Sequence, residues 1–172
     1  MGPVVIGIGN PLRQDDGLGW RAAELLGARL APGAADIHFC HQLTPEFAAK
    51  LGGAPLAIFL DASVDQAPGE ARQHSIQPDG QFTNSHHLTP QKLLSLTRAV
   101  YGAAPPAVLI SGGVFETNLA DRLTDGAEVC AARMAELAAS VLGDTLTPGP
   151  GRFQSPSRRG QLRSGRSAAD GG

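Results

Sequence analysis

Short apolar runs alternate with longer amphipathic stretches over most of this chain. The runs at residues 4–8, 55–60 and 107–111 are rich in Val, Ile and Leu, which is typical of parallel strands buried on both faces. Residues 36–40 alternate polar and apolar side chains, as a strand with one exposed face does. Residues 70–76 predict a weak, exposed strand at the edge of a sheet.

Helices are predicted between these strands, each with one apolar face. Two of them open with threonine followed by proline, at Thr44-Pro45 and Thr89-Pro90. Threonine is a common helix cap, and proline is preferred at the first helical position. Strands that alternate with helices favour a parallel sheet. The pattern therefore predicts a three-layer α/β/α sandwich with a mostly parallel central sheet. The helices are expected at residues 20–30, 47–51, 90–101 and 126–142.

The apolar pattern stops near residue 143. Residues 1–143 are predicted to form one α/β domain, which is large enough to bury a core without disulfides or metals. Residues 144–172 consist mainly of Gly, Pro, Ser and Arg and contain few apolar side chains. We expect this segment to be a disordered tail, because it can bury too little apolar surface to offset the entropy of ordering.

Charge and cysteine content narrow the class of protein. The tail holds five of the 14 basic and two of the 16 acidic residues, which leaves residues 1–143 with a net charge near −5. That charge argues against a nucleic-acid partner. Cys40 and Cys130 lack the spacing of a zinc site or a disulfide, so both are expected to be reduced thiols. Neither a signal peptide nor a membrane span is predicted, and a cytoplasmic location is expected.

The first strand leads into a turn that carries two adjacent acids. Gly9-Asn10-Pro11 ends the strand, and Asp15 and Asp16 precede Gly17 and the next helix. Acids near a helix start are often caps, which explains one carboxylate better than two. A dinucleotide loop would need glycine where Leu12 stands, and two carboxylates would repel a phosphate. The combination favours a functional site.

The stretch from Gly7 to Gly19 resembles the amino-terminal signature of the hydrogenase maturation proteases, G-x-G-N-x-L-x-x-D-(E/D)-G-x-G. Peptidyl-tRNA hydrolases also open with a strand and G-x-G-N-P, but they continue toward T-R-H-N, whereas this chain has Arg13-Gln14-Asp15-Asp16. The acids favour the protease family, and the resemblance extends over about residues 3–143. The eight matching positions are Gly7, Gly9, Asn10, Leu12, Asp15, Asp16, Gly17 and Gly19.

A third acid follows the most hydrophobic strand. Asp61 comes directly after residues 55–60, at the carboxyl end of a predicted buried strand, where open α/β sheets keep their functional groups. The alternative is that Asp61 caps the next turn. Gln42 lies in another strand-to-helix turn, and we do not assign it to the site.

Two histidines, His86 and His87, precede the helix that begins near Pro90. Their position is better explained by metal binding or acid–base chemistry than by loop contacts alone. The family has a histidine here, and aligning Leu88 and the following leucines with the family's helix places that residue at His86. His87 takes its place if the loop shifts by one residue.

Asp16, Asp61 and His86 each follow a predicted strand, which places them at one edge of the sheet. Two carboxylates and an imidazole suit nickel or zinc and leave coordination positions open. The resemblance implies that the metal is nickel carried by a substrate, and that the chain has no tightly bound cofactor of its own. Asp16 stands where many relatives carry the longer Glu.

The resemblance implies an endopeptidase that removes the C-terminal peptide of a nickel-iron hydrogenase large-subunit precursor after nickel insertion. The precursor is the expected partner, and Asp16 and Asp61 are the expected catalytic residues. Either the precursor's nickel polarises the scissile carbonyl while an Asp activates water, or the metal only positions the peptide. Two alternatives are a peptidyl-tRNA hydrolase-like esterase and a non-catalytic metal-binding maturation module. The sequence does not determine the oligomeric state.

Overall fold

The structure is a computed structural model that describes residues 1–79 and 88–146, with side chains described as far as residue 143. His86 and His87 lie outside the described residues, as does the tail from residue 147. The last helix ends at Leu146, three residues into the segment assigned to the tail. The division at residue 143 therefore stays a prediction. Within the described residues, no helix is both long enough and apolar enough to cross a membrane.

A five-stranded sheet forms the centre of the fold, with the strand order β2-β1-β3-β5-β4. The first four of these strands run parallel, and β4 pairs antiparallel with β5 at one edge. The prediction of a mostly parallel sheet with an exposed strand at its edge is confirmed. The strands are β1 Val4–Ile8, β2 Asp36–Cys40, β3 Ala57–Ser63, β4 Ala71–Ile76 and β5 Ala107–Gly113.

Helices cover both faces of the sheet, which confirms the three-layer α/β/α architecture. Helices α1 (Leu18–Gly27) and α4 (Asp125–Leu146) pack on one face, over a core that includes Leu26, Ile58 and Met134. Helices α2 (Phe47–Leu51) and α3 (Pro90–Tyr101) cover the other face, over Phe59 and its neighbours. The hydroxyl oxygen of Thr89 accepts a hydrogen bond from the Lys92 N–H, as its predicted role as a cap requires.

Two elements differ from their predicted bounds in ways that affect the site. Strand β3 continues to Ser63, because its last three residues pair with Ser111–Gly113 of β5. Asp61 therefore lies within the strand and not directly after it. Helix α1 begins at Leu18, two residues before its predicted start, and it follows directly on a 3-10 turn over Gln14–Gly17. The two acids of the first motif belong to this turn.

The amino terminus of α1 lies directly against the carboxyl ends of β1 and β3. A Cβ atom at Gly19 would stand 2.2 Å from the carbonyl oxygen of Leu60 and 2.3 Å from that of Ile8. Both distances are far below van der Waals contact, and both neighbouring atoms belong to buried backbone. Only glycine lets the helix approach this closely, so the motif residue Gly19 holds α1 at the edge of the sheet where Asp61 lies.

Replacing Gly19 with alanine is expected to lower the free energy of unfolding by at least ~2 kcal/mol, since the added methyl overpacks a site with no room to relax. Gly143→Ala is the matched control, because it makes the same change in a helix where nothing lies within 4 Å. It should cause no loss of stability. Urea unfolding of both variants measures the difference. An unchanged midpoint for Gly19→Ala would show that this contact is not tight.

Candidate active site

The turn after β1 holds the Asp16 carboxylate above the end of that strand. Gly9 has a φ of 134°, and a Cβ atom there would lie 1.9 Å from the backbone oxygen of Asp16, so the chain folds back tightly on itself at this point. The Asn10 N–H donates a hydrogen bond of 3.0 Å to Oδ2 of Asp16. The Asp16 side chain is half-buried, and it remains accessible from the cleft described below.

The adjacent acid, Asp15, has a different environment. It is fully buried, and its carboxylate accepts four hydrogen bonds from the loop that follows β5. The residue that precedes α1 is Gly17, and no side chain caps this helix. The pair of acids is therefore not a cap of α1. One acid joins two loops, and the other faces a cleft.

Asp61 lies on β3 opposite Ser111 of β5. Its Oδ1 accepts a hydrogen bond of 2.9 Å from the Ala62 N–H. Burial raises the pKa of Asp61 from its ordinary value of 3.8 to about 7, against the opposing effect of the Ala62 hydrogen bond, and the negative charge of Asp16 adds to the rise. Near neutral pH, both the protonated and the ionised forms of Asp61 are therefore populated in the free protein.

Two cavities at the carboxyl edge of the sheet share two lining residues, His41 and Gln42, and together they are called the cleft here. A cavity of about 190 Å³ is lined by Asp61 and by Leu88, Thr89 and Pro90 at the start of α3. A second cavity of about 570 Å³ is lined by Asp16 together with Asn10, Arg13 and Thr44. The structure thus brings two of the three predicted site residues to one cleft. His41 and Gln42 line both cavities.

His41 and Gln42 are the residues that the sequence analysis missed. They directly follow β2, and the ring of His41 lies against that of Trp20, with 5.5 Å between the ring centroids. The indole N–H of Trp20 donates to the backbone oxygen of Cys40, which holds the end of β2 beside the first motif. The sequence feature that could have identified His41 and Gln42 is their position directly after β2, which pairs with β1 in the sheet. Gln42 was considered in the sequence analysis and not assigned to the site, and in the structure it lines both cavities.

The sequence matches no protein-family model and no curated protein. Among solved structures it is similar to a nickel-iron hydrogenase maturation protease, HycI, from Thermococcus kodakarensis, with 26% identity, coverage of 82% of this chain and 92% of that one, and a TM-score of 0.66. The fold is that of the hydrogenase maturation proteases.

Two further structures extend this similarity. The hydrogenase maturating endopeptidase HybD from E. coli is 23% identical, with 85% of this chain and 94% of that one covered and a TM-score of 0.69. A hydrogenase 2 maturation peptidase from a Thaumarchaeota archaeon is 24% identical, with coverage of 83% and 99% and a TM-score of 0.64. The resemblance seen in the amino-terminal motif is confirmed, and these neighbours support the prediction of a peptidase.

Neither cysteine is suited to act as the nucleophile of such a peptidase. Both are free thiols. Burial raises the pKa of Cys40 to about 11, and the charge of Asp61 adds to this. Burial is also the main cause of the raised pKa of Cys130. A thiol attacks as its thiolate, so a raised pKa makes each a poor nucleophile.

A metal site in this maturation-protease fold would need groups from more than one part of the chain. Among the described residues, no three His, Cys, Asp or Glu side chains lie close enough to hold a metal ion. Asp16 and Asp61 offer carboxylate oxygens on one cleft, which suit a divalent ion. His86 lies outside the described residues, so the predicted set of three ligands stays a prediction.

Proposed function

We propose that this protein is an endopeptidase that removes the C-terminal peptide of a nickel-iron hydrogenase large-subunit precursor after nickel insertion. One observation carries the proposal: Asp16 and Asp61, which are far apart in sequence, line one cleft at the carboxyl edge of a maturation-protease fold. The proposed partner is the precursor, and the proposed compartment is the cytoplasm.

The nickel belongs to the substrate in this proposal. Asp16 and Asp61 supply oxygen ligands from two sides of the cleft, and His86 supplies a nitrogen ligand. Support for His86 comes from its position, because Leu88, only two residues further on, lines the same cavity as Asp61. Three protein ligands leave positions for groups of the precursor, which makes the metal a recognition element and not a resident cofactor.

The environment of Asp61 suits a carboxylate that binds a proton in the free protein and a metal ion when substrate is present. Burial and the charge of Asp16 favour its protonated form in the free protein. A divalent cation in the cleft would reverse this preference, because it stabilises the ionised carboxylate. Nickel-loaded substrate would thus prepare the carboxylates for catalysis, whereas nickel-free substrate would not.

Two mechanisms are compatible with this arrangement. In one, the precursor's nickel polarises the scissile carbonyl while Asp16 or Asp61 activates a water molecule. In the other, the metal holds the peptide in place, and an Asp activates the water without further assistance from the metal. Both require an ionised carboxylate in the cleft, and both assign the chemistry to the same residues.

Incubation with matched precursors tests the proposal. We expect a nickel-loaded large-subunit precursor to lose its C-terminal peptide, while the same precursor without nickel stays intact. Intact-mass spectrometry measures the decrease in mass and locates the cleaved bond. If no loaded precursor is cleaved, including one encoded beside this protein, the proposed function is wrong.

Two further measurements separate the proposal from its alternatives. Nickel titration of the isolated protein should show weak binding, because the protein's own ligand set is incomplete. Tight binding of one nickel ion without proteolysis would instead favour a metal-binding module. Release of peptide from peptidyl-tRNA, with salt-dependent tRNA binding, would favour the esterase.

A further inference from the structure

The fully buried Asp15 is the centre of the contact between the motif turn and the loop after β5. Its Oδ2 accepts hydrogen bonds from the Phe115 and Glu116 N–H groups at 2.9 and 3.1 Å. The N–H of Thr124 donates to Oδ1 at 2.8 Å, and the hydroxyl of Thr124 donates to Oδ2 at 2.9 Å. In the described part of the chain, no Lys, Arg or His nitrogen lies within ion-pair distance of Asp15.

Backbone hydrogen bonds also join the motif turn to the loop after β5. The Asp15 N–H donates to the oxygen of Glu116 at 3.2 Å, and the Gln14 N–H donates to the oxygen of Ala120 at 3.1 Å. The Ala120 N–H in turn donates to the oxygen of Leu12 at 3.1 Å. The loop after β5 therefore pairs with the turn much as a strand pairs with its neighbour, although neither segment belongs to the sheet.

The turn is held in a conformation that it would not favour alone. Gln14 has a φ of 46°, in the left-handed region that residues other than glycine seldom adopt. Its side-chain oxygen accepts a hydrogen bond of 3.1 Å from the Asn118 N–H, which also comes from the loop after β5. Such conformations persist where surrounding contacts enforce them, and they cluster at functional sites.

Asp16 follows directly on this strained and anchored segment. Its N–H donates to the backbone oxygen of Arg13, and its carboxylate accepts from Asn10. The direction in which Asp16 faces thus depends on the turn, and the turn depends on the hydrogen bonds of Asp15. Removal of the Asp15 carboxylate would leave several inward-facing donors without their acceptor, and the loop would have to move to satisfy them.

From these contacts we infer that Asp15 is a positioning residue, whose carboxylate orients Asp16 toward the cleft by holding the turn against the loop after β5. This inference rests on the proposed function for its effect on catalysis. Small displacements of a catalytic group cost large factors in rate. Asp15 itself does not touch the substrate, and its effect passes through Asp16.

The test compares Asp15→Asn with Leu142→Ala, which removes a buried side chain from the distant end of α4. Both variants should lower the melting temperature. In Asp15→Asn, kcat should fall at least ~10-fold and KM for the loaded precursor should rise, because Asp16 is both a candidate base and a ligand of the substrate's nickel. Leu142→Ala should keep its kcat well below its melting temperature.

A second measurement does not require activity. The Asn10 amide donates to Asp16, so its hydrogen-exchange rate reports whether Asp16 keeps its place. We expect this rate to rise about 10-fold in Asp15→Asn and to stay unchanged in Leu142→Ala. Unchanged Asn10 exchange and unchanged kcat would overturn the inference. If the wild-type protein cleaves nothing, the proposed function fails, and the exchange experiment alone decides the role of Asp15.

A second pair of variants covers the case in which Asp15→Asn does not fold. Thr124→Val removes the hydroxyl that donates to Asp15, whereas Thr124→Ser keeps it. Thr124→Val should show a smaller fall in kcat and a faster Asn10 exchange, and Thr124→Ser should resemble the wild type. Equal kcat and equal exchange in the two variants would also overturn the inference.

Discussion

Cleavage of the nickel-loaded precursor is expected to fall by at least ~10³-fold when either Asp16 or Asp61 is replaced by alanine, the size of loss typical of removing an acid–base group. Each change removes an oxygen ligand and a candidate base from the same cleft. Both variants should stay folded, because the carboxylates are only partly buried and one of them is held against unfavourable solvation. Intact-mass spectrometry of the precursor and circular dichroism of the variant measure the two effects.

The control for this loss is Asp65→Ala. Asp65 is an exposed acid four residues beyond Asp61, and it does not line the cleft. This variant should cleave the precursor at nearly the wild-type rate. Full activity in Asp16→Ala or Asp61→Ala would show that the cleft carboxylates are not the catalytic machinery, even if the protein does process hydrogenase precursors.

The two histidines are tested in the same assay. His86→Ala should abolish cleavage, while His87→Ala should have a much milder effect, because the resemblance assigns the ligand role to His86. The reverse result would place the ligand one residue further along the loop. If both single variants keep full activity, the proposed set of three ligands is wrong.

The parts of the fold that the sequence predicted are those that local patterns determine. Apolar runs of five or six residues favoured buried strands, and their alternation with helices favoured crossovers that place the strand ends at one edge of the sheet. That rule alone predicted that Asp16 and Asp61 lie at the same edge of the sheet. The resemblance to the family motif then favoured a functional site over a helix cap as the interpretation of the two adjacent acids.

What the sequence did not reveal depends on contacts between distant segments. The partners of Asp15 lie 100 to 109 residues further along the chain, so nothing near the motif distinguished this buried anchor from the neighbouring cleft residue. The extent of β3 depends on its pairing with β5. His41 reaches the cleft because β2 lies beside β1 and Trp20 supports the end of that strand.

The stability of the metal-free protein should depend on the charge of Asp61. Its pKa in the folded protein is about 7, against an ordinary value of 3.8 that applies to the unfolded chain. Between these two pH values the folded state holds a proton that the unfolded state has released. Stability contributed by Asp61 is therefore fully present below about pH 4 and is lost as pH rises through 7.

Asp61→Asn removes this dependence. Asparagine carries no charge at any of these pH values, and its side-chain oxygen can still accept the hydrogen bond from the Ala62 N–H. The full displacement of the pKa corresponds to as much as ~4 kcal/mol at pH 8. Because Asp61 is partly accessible to water, we expect the variant to be more stable than the wild type by about 2 kcal/mol at pH 8. At pH 4 the gain should shrink to a few tenths of a kcal/mol.

Urea unfolding at pH 4 and pH 8, with metal chelated, measures both differences. Asp65→Asn is the matched control, since it neutralises an exposed acid on the same segment and should change stability by less than ~0.5 kcal/mol at either pH. An equal gain in stability for Asp61→Asn at both pH values would show that the gain comes from packing and not from the removal of a charge. A loss at pH 8 would mean that the ionised carboxylate is favourably solvated in the free cleft, and that metal-loaded substrate is not needed to stabilise its charge.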